Sequence, residues 1–216
     1  MAVRIISSVV AIPLLLIFIT AGGLPLRIAV LLLSLIGMYE LYKAVSGKIK
    51  AVHIVGFLLE IIYAYFAVDH SVDISYVKAL FCAVTMIILF ILVVCHRTNN
   101  INDAAVTVFG FFYVGLLLSL ICYVREVSIF FAWLPFLFAF GSDTGAYFVG
   151  SKLGKHKLTP ELSPKKTVEG AVGGIIFAAL FTAIYSFVLY KFYDFSPEYI
   201  IIFSIGAALG SVAAQF

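Results

Sequence analysis

Long apolar runs separated by short polar joints dominate the chain. None shows the alternation of period two that a half-buried strand requires, so each run reads as a helix. A bilayer core demands about 20 apolar residues per helix. On that ruler the runs fall near 5–21, 24–42, 51–68, 74–95, 104–124, 128–150, 169–190 and 197–216. Pro25, Asn99-Asn100 and Ser196-Pro197 punctuate the second, fifth and eighth. The pattern predicts an all-α fold: a polytopic integral membrane bundle of about eight transmembrane helices, forming one membrane domain over 1–216.

Composition agrees and removes the soluble classes. Hydrophobic residues make up 64% of the chain and charged residues 12%, with a mean hydropathy of +1.17. Soluble domains carry about 25% charged residues. A formal charge of +3 is too small and too scattered to point to nucleic acid. Where the cations lie matters more than their sum. With the amino terminus in the cytoplasm, Arg4, Lys43, Lys48, Lys50, Arg97, Lys152, Lys155, Lys157, Lys165 and Lys166 fall inside. Arg27, Lys78, Arg125 and Lys191 fall outside, as do Asp69 and Asp73. This bias predicts a cytoplasmic position for 151–168, the longest polar segment. Arg4 followed by an apolar run could suggest a signal peptide, but Thr20-Ala21-Gly22-Gly23 is a weak cleavage site and a retained helix is expected.

Cysteine and histidine add little. Cys82, Cys95 and Cys122 sit in or near apolar runs without a Cys-x-x-Cys pair, which argues against a disulfide framework or structural zinc. His53, His70, His96 and His156 are isolated and read as interfacial residues. No internal repeat stands out, which weakens a transporter built from inverted repeats.

Two polar stretches break the apolar pattern. In "GSDTGAYFVG", Asp143 interrupts an otherwise smooth helix, and a carboxylate at membrane depth needs water, a cation or a partner. It could cap a helix or pair with a lysine; the stronger reading places it in a hydrated polar cavity, with Ser142 and Thr144 beside it. Gly141, Gly145 and Gly150 would admit a neighbouring helix or ligand. The following "GSKLGKH" lacks the spacing of a phosphate-binding Walker loop, and His156 stands where Ser or Thr is required. Lys152, Lys155 and Lys157 suit either an anchor on anionic headgroups or a phosphate site.

The second stretch is "SPKKTVEGAVGG". Ser163-Pro164 reads as an N-cap with proline at the first helical position, and Thr167 as a second cap with Glu169 in the turn after it. Helix-start amides together with Lys165 and Lys166 form an anion site suited to phosphate. Gly170, Gly173 and Gly174 then keep the backbone close to its neighbour, while Gly206 and Gly210 lie on one face suited to a close helix crossing. The residues therefore point to a site for a phosphorylated lipid or a nucleotide.

Across 141–174, "GSDTGAYFVGSKLGKHKLTPELSPKKTVEGAVGG" resembles the central region of the phosphatidate cytidylyltransferase (CDP-diacylglycerol synthase) family. The Ser-Asp-Thr-Gly-Ala-Tyr, Gly-Lys-His-Lys-Leu and Ser-Pro-x-Lys-Thr-x-Glu-Gly elements stand in that family's order; before them the likeness is only hydropathic. The resemblance implies a phospholipid-biosynthesis enzyme of the bacterial inner membrane. It would convert CTP and phosphatidate to CDP-diacylglycerol and pyrophosphate with Mg2+, its amino terminus and active site cytoplasmic. It makes 1–127 the amino-terminal helices and 128–216 part of the catalytic region. Lys166 and Asp143 are the implied catalytic residues, Asp143 also contributing to the metal. Ser142, Thr144, Lys152, Lys155, Ser163, Lys165, Thr167 and Glu169 are the implied substrate-binding residues. Membrane lipids are expected partners and a homodimer stays open. The family's carboxy-terminal signature, beginning Gly-Asp-Leu and supplying further acidic metal ligands, is not present up to the final "GSVAAQF", so this stretch by itself is expected to lack catalysis. Two rival classes remain: an ion- or proton-coupled transporter using Asp143 and Glu169, and a CTP-dependent polyprenol or lipid kinase.

Overall fold

The computed structural model describes residues 2–47, 53–67, 86, 101–161 and 163–215, with side chains from Ile12 onward. Two compact units result, Met1–Ala132 and Trp133–Phe216. The expected span 74–95, apart from Met86, lies outside the described residues, as do Lys48, Lys50, Asp69, His70, Asp73, Lys78, Cys82, Cys95, His96 and Arg97.

The first unit contains α1 (Ala2–Ala21), α2 (Gly23–Val45) and α3 (His53–Ala67). A long helix follows: α4 (Ile101–Gly110), a π-helical segment (Phe111–Leu116) and α5 (Leu117–Val127). The short α6 (Ile129–Ala132) closes the unit. Gly22 and Gly23 have φ of 62° and 49°, left-handed values that let α1 turn into α2 without a loop. Arg125 lies over this joint, its Nε donating to Ile19 O (2.6 Å) and its guanidinium to Thr20 O (3.0 Å). A cation thereby satisfies the end carbonyls of α1. Arg27 pairs with Glu126 beside it.

The core of this unit gathers Met38, Tyr42, Leu59, Ala104 and Phe111. Tyr42 stacks on His53 and donates to Thr107 O (2.8 Å). One buried residue is out of keeping with the rest. Glu60, at the centre of α3, is 1% exposed and shares a 2.6 Å hydrogen bond with Ser34 of α2. Its Oε2 has no hydrogen-bond partner among the described residues. A Cβ at Gly115, inside the π-helical segment, would overlap that carboxyl group.

The second unit consists of α7 (Leu134–Leu153), β1 (Lys157–Thr159), β2 (Ser163–Thr167), α8 (Val168–Tyr193) and α9 (Glu198–Gln215). Strands β1 and β2 form an antiparallel hairpin pairing Lys157 with Thr167 and Thr159 with Ser163. This corrects the expectation of a helix start at Ser163-Pro164, because those residues begin a strand. Proline disfavours the α region for the residue before it, and its missing N–H is tolerated at a strand's edge. The second expected cap holds: Thr167 has extended backbone and its Oγ1 accepts from Gly170 N (3.2 Å).

Helices α7 and α8 cross antiparallel through small residues. A Cβ at Gly145 would lie 2.5 Å from Gly173 O, and one at Gly173 would lie 2.5 Å from Val149 Cβ. Gly141 sits against Ala178 and Gly150 against Gly170. Buried Ala207, Ser211 and Gln215 turn one face of α9 inward. The expected close crossing at Gly206 and Gly210 is not found among the described residues: both are exposed there, and a Cβ at either would meet none of them within 4 Å. The same helix buries its polar face instead, since hydroxyl and amide groups gain more from leaving lipid than glycines do.

The chain is thus an all-α polytopic membrane protein, with one small hairpin among the described residues. Five helical stretches are long and apolar enough to span, namely Gly23–Val45, Ile101–Val127, Ile129–Leu153, Val168–Tyr193 and Glu198–Gln215. Ile12–Ala21 and His53–Tyr65 are shorter apolar stretches, so eight spans are not reached among the described residues.

Candidate active site

The polar residues singled out in the sequence gather in the second unit, around the hairpin and the helices it joins. The hairpin is pinned from several sides. Val168 N donates to His156 O (2.9 Å), and Lys157 Nζ donates to Pro164 O (2.6 Å). Glu169 reaches back from the first turn of α8 to accept from the amides of Lys155 (3.0 Å) and His156 (3.2 Å). Its Oε1 lies 2.7 Å from His156 Nδ1. Glu169 therefore holds the 154–157 segment as well as sitting at a helix start, where a carboxylate is favoured.

Lysines ring this hairpin. Lys152, Lys155, Lys157 and Lys165 are exposed, while Lys166 is half-buried. Lys166 Nζ donates to Gln215 O (2.9 Å) at the carboxyl end of α9, a position where cations are stabilised by the helix dipole. Ser163 is half-buried on β2, and Thr167 is buried in its capping role. A Cβ at Gly154 would press on Thr167, so the turn after α7 is fitted against this cap.

Asp143 and Ser142 are neighbours on α7 with opposite surroundings. Ser142 is 3% exposed and faces α9, where its Oγ lies 2.7 Å from Ser211 Oγ and accepts from Gln215 Nε2 (3.0 Å). Asp143 is exposed, and its carboxylate has no hydrogen-bond or ion-pair partner among the described residues. Thr144 is half-buried. The buried serine thus fixes the rotation of α7 so that the next residue points outward.

Three residues of this arrangement are not singled out as site residues in the sequence. Ser211 and Gln215 stand four apart on an apolar helix, a spacing that marks a shared face. His156 is separated from Glu169 by 13 residues, and only the hairpin brings them together.

The donor set limits what metal chemistry the chain can offer. Among the described residues no three His, Cys, Asp or Glu side chains form a metal cage. Asp143 nevertheless fits one position around Mg2+, which is commonly held by one or two carboxylates together with water and substrate phosphates. Its open carboxylate is the observation that allows this.

Comparison with known proteins accords with the geometry. The model of the cytidylyltransferase family matches residues 2–216. A phosphatidate cytidylyltransferase of Bacillus subtilis is 30% identical over 200 residues, covering 86% of this chain and 71% of that protein. One from Staphylococcus aureus strain COL is 31% identical, covering 81% and 68%. One from Staphylococcus epidermidis strain RP62A is 33% identical, covering 83% and 70%.

Proposed function

Because the chain belongs to the cytidylyltransferase family, we propose that it transfers the cytidylyl group of CTP to phosphatidate, forming CDP-diacylglycerol and pyrophosphate. The observation that carries this reading is one helical unit that holds both a lysine-rich hairpin and, on the helix leading into it, an exposed Asp143 with no partner among the described residues. A phosphate oxygen of phosphatidate attacks the α-phosphorus of CTP, the bond to the β-phosphate oxygen breaks, and pyrophosphate leaves. Both reactants are anionic, so their approach must be offset by fixed positive charge.

Lys165 and Lys166 supply that charge to the nucleotide phosphates, and Lys152 and Lys155 supply it to the lipid phosphate. Thr167 and Glu169 keep the hairpin and the start of α8 in register for this. Ser142 orients α7, Ser163 and Thr144 add hydroxyls, and Asp143 contributes a carboxylate to Mg2+. When bound, Mg2+ neutralises phosphate charge as a Lewis acid. Tyr147 (71% exposed) and Leu153 (63% exposed) on α7 offer apolar surface for acyl chains. The same reading places the protein in the bacterial inner membrane with the hairpin in the cytoplasm, following the lysine bias. A homodimer stays open under this reading, as it does in the sequence.

The test uses membranes containing the complete gene product, phosphatidate and CTP labelled separately at the α- and γ-phosphates. The α-label should enter a lipid while the γ-label appears in pyrophosphate. Transfer of the γ-label to lipid with release of CDP would instead identify a kinase, and transport without CTP consumption would identify a transporter.

A further inference from the structure

We propose that His156 is a phosphate-binding residue of this site, held for that task by Glu169. The proposal rests on the cytidylyl-transfer reading above for the identity of its ligands, and on the geometry of the dyad for everything else. The ring's Nδ1 lies 2.7 Å from Glu169 Oε1, yet the side chain is 79% exposed. One edge of the imidazole is fixed and the other is presented outward.

The direction of the fixed hydrogen bond follows from the partner. An ionised carboxylate can only accept, and Glu169 already accepts from the amides of Lys155 and His156. The proton therefore sits on Nδ1. Nε2 has no partner among the described residues. In the imidazolium form both ring nitrogens are donors, so Nε2 can donate to a phosphate oxygen while Nδ1 stays on Glu169.

The surroundings favour an anion over a cation. The charged residues on the hairpin and the helix ends it joins are Glu169 from α8, Lys155 and Lys157 on the ring's own segment, Glu161 in the turn, Lys152 at the end of α7, and Lys165 and Lys166 on β2. Glu169 is engaged by the segment itself, which leaves five lysines against Glu161 on these elements. The hairpin bond from Val168 N to His156 O ties the residue to the strand that carries Lys166. An ordinary surface histidine would lack this double anchoring of backbone and ring to one carboxylate.

The ligand is a phosphate oxygen, which either the nucleotide or the lipid could supply. The experiment separates the two in the complete gene product, reconstituted in phosphatidylcholine nanodiscs. Binding of CTP, and separately of phosphatidate incorporated in the disc, is measured by calorimetry for wild type, His156→Gln and Glu169→Gln, alongside steady-state KM and kcat. A lost charge-assisted hydrogen bond corresponds to about ten-fold or more in affinity. His156→Gln should weaken one of the two ligands by that factor with the melting temperature unchanged, because the side chain is exposed. Glu169→Gln should weaken the same ligand. The two substitutions combined should weaken that ligand no further than either alone, a non-additivity that two merely structural residues acting separately would not give. Equal affinities for wild type and His156→Gln would overturn the proposal. A wild-type protein that binds both ligands without forming CDP-diacylglycerol would instead overturn the reading of the activity, with the histidine judged by the binding data alone.

Discussion

Replacing Gly145 by alanine should separate α7 from α8 and lower stability, and the size of the effect can be worked from the crossing. An alanine Cβ would sit 2.5 Å from Gly173 O and 2.6 Å from Phe177 Cβ. Optimal carbon contacts lie at about 3.5–4.0 Å, so one helix must move by about 1 Å along much of the interface. Overpacking of this kind costs about 1–3 kcal/mol. Alanine regains up to about 1 kcal/mol of helix propensity over glycine, leaving a net loss of up to about 2 kcal/mol. In a chain of this size each kcal/mol shifts the melting temperature by about 2–4 °C, so a drop of up to about 8 °C is expected. Gly206→Ala is the internal control, because a Cβ there meets nothing within 4 Å. It gains the same propensity without the clash and should melt at or above wild type. Thermal unfolding in detergent, followed by the fluorescence of the single Trp133 or by size exclusion after heating, gives the comparison. A Gly145→Ala protein as stable as Gly206→Ala would refute the assignment of this glycine to a tight crossing.

Further outcomes follow for the site and for α9. Lys166→Ala should lower kcat/KM for CTP by about 100-fold while the protein still inserts, and Lys166→Arg should restore only part because its donors are arranged differently; normal rates from folded Lys166→Ala would return the hairpin to a plain basic loop. Asp143→Asn should raise the Mg2+ concentration needed for half-maximal rate by about ten-fold, the size of one lost charged contact, and an unchanged Mg2+ titration would remove Asp143 from the metal. Replacing Gly206 and Gly210 together by leucine should leave expression and melting unchanged, since both positions are open; a collapse in membrane yield would show that something covers this face.

The helices were legible because their signal is a long apolar run, which no other membrane-crossing element can produce. Thr167 and Glu169 were legible for a different reason: capping chemistry is local, and a hydroxyl before an acidic first turn announces itself within four residues. The hairpin was not legible, because Ser163-Pro164 satisfies a helix start and an edge strand equally well, and only pairing with Lys157–Thr159 chooses between them. The two glycine patterns make the same point. Gly141 and Gly145 share the spacing of Gly206 and Gly210, yet only the first pair is packed. Spacing defines a face without saying where it turns. Ser211 and Gln215 carried that information for α9, since polar side chains in a lipid-facing chain turn toward protein partners. The meeting of His156 with Glu169 depends on the hairpin and was hidden with it.

The carboxyl group at the centre of α3 bears on how the chain is made. Glu60 belongs to an early helix, whereas Gly115, which makes room for it, is added 55 residues later. The hydrogen-bond partner of Glu60 among the described residues, Ser34, lies on the preceding helix and is translated before it. An acidic residue at the middle of an inserting helix costs about 2.5–3.5 kcal/mol, enough to hold a 15-residue helix at the water interface or in the translocon. The π-wound segment supplies the remaining room, at a glycine where any Cβ would meet the carboxyl group. Burial of this acid in an early helix is therefore tied to a residue translated well after it, a single glycine in a locally widened helix.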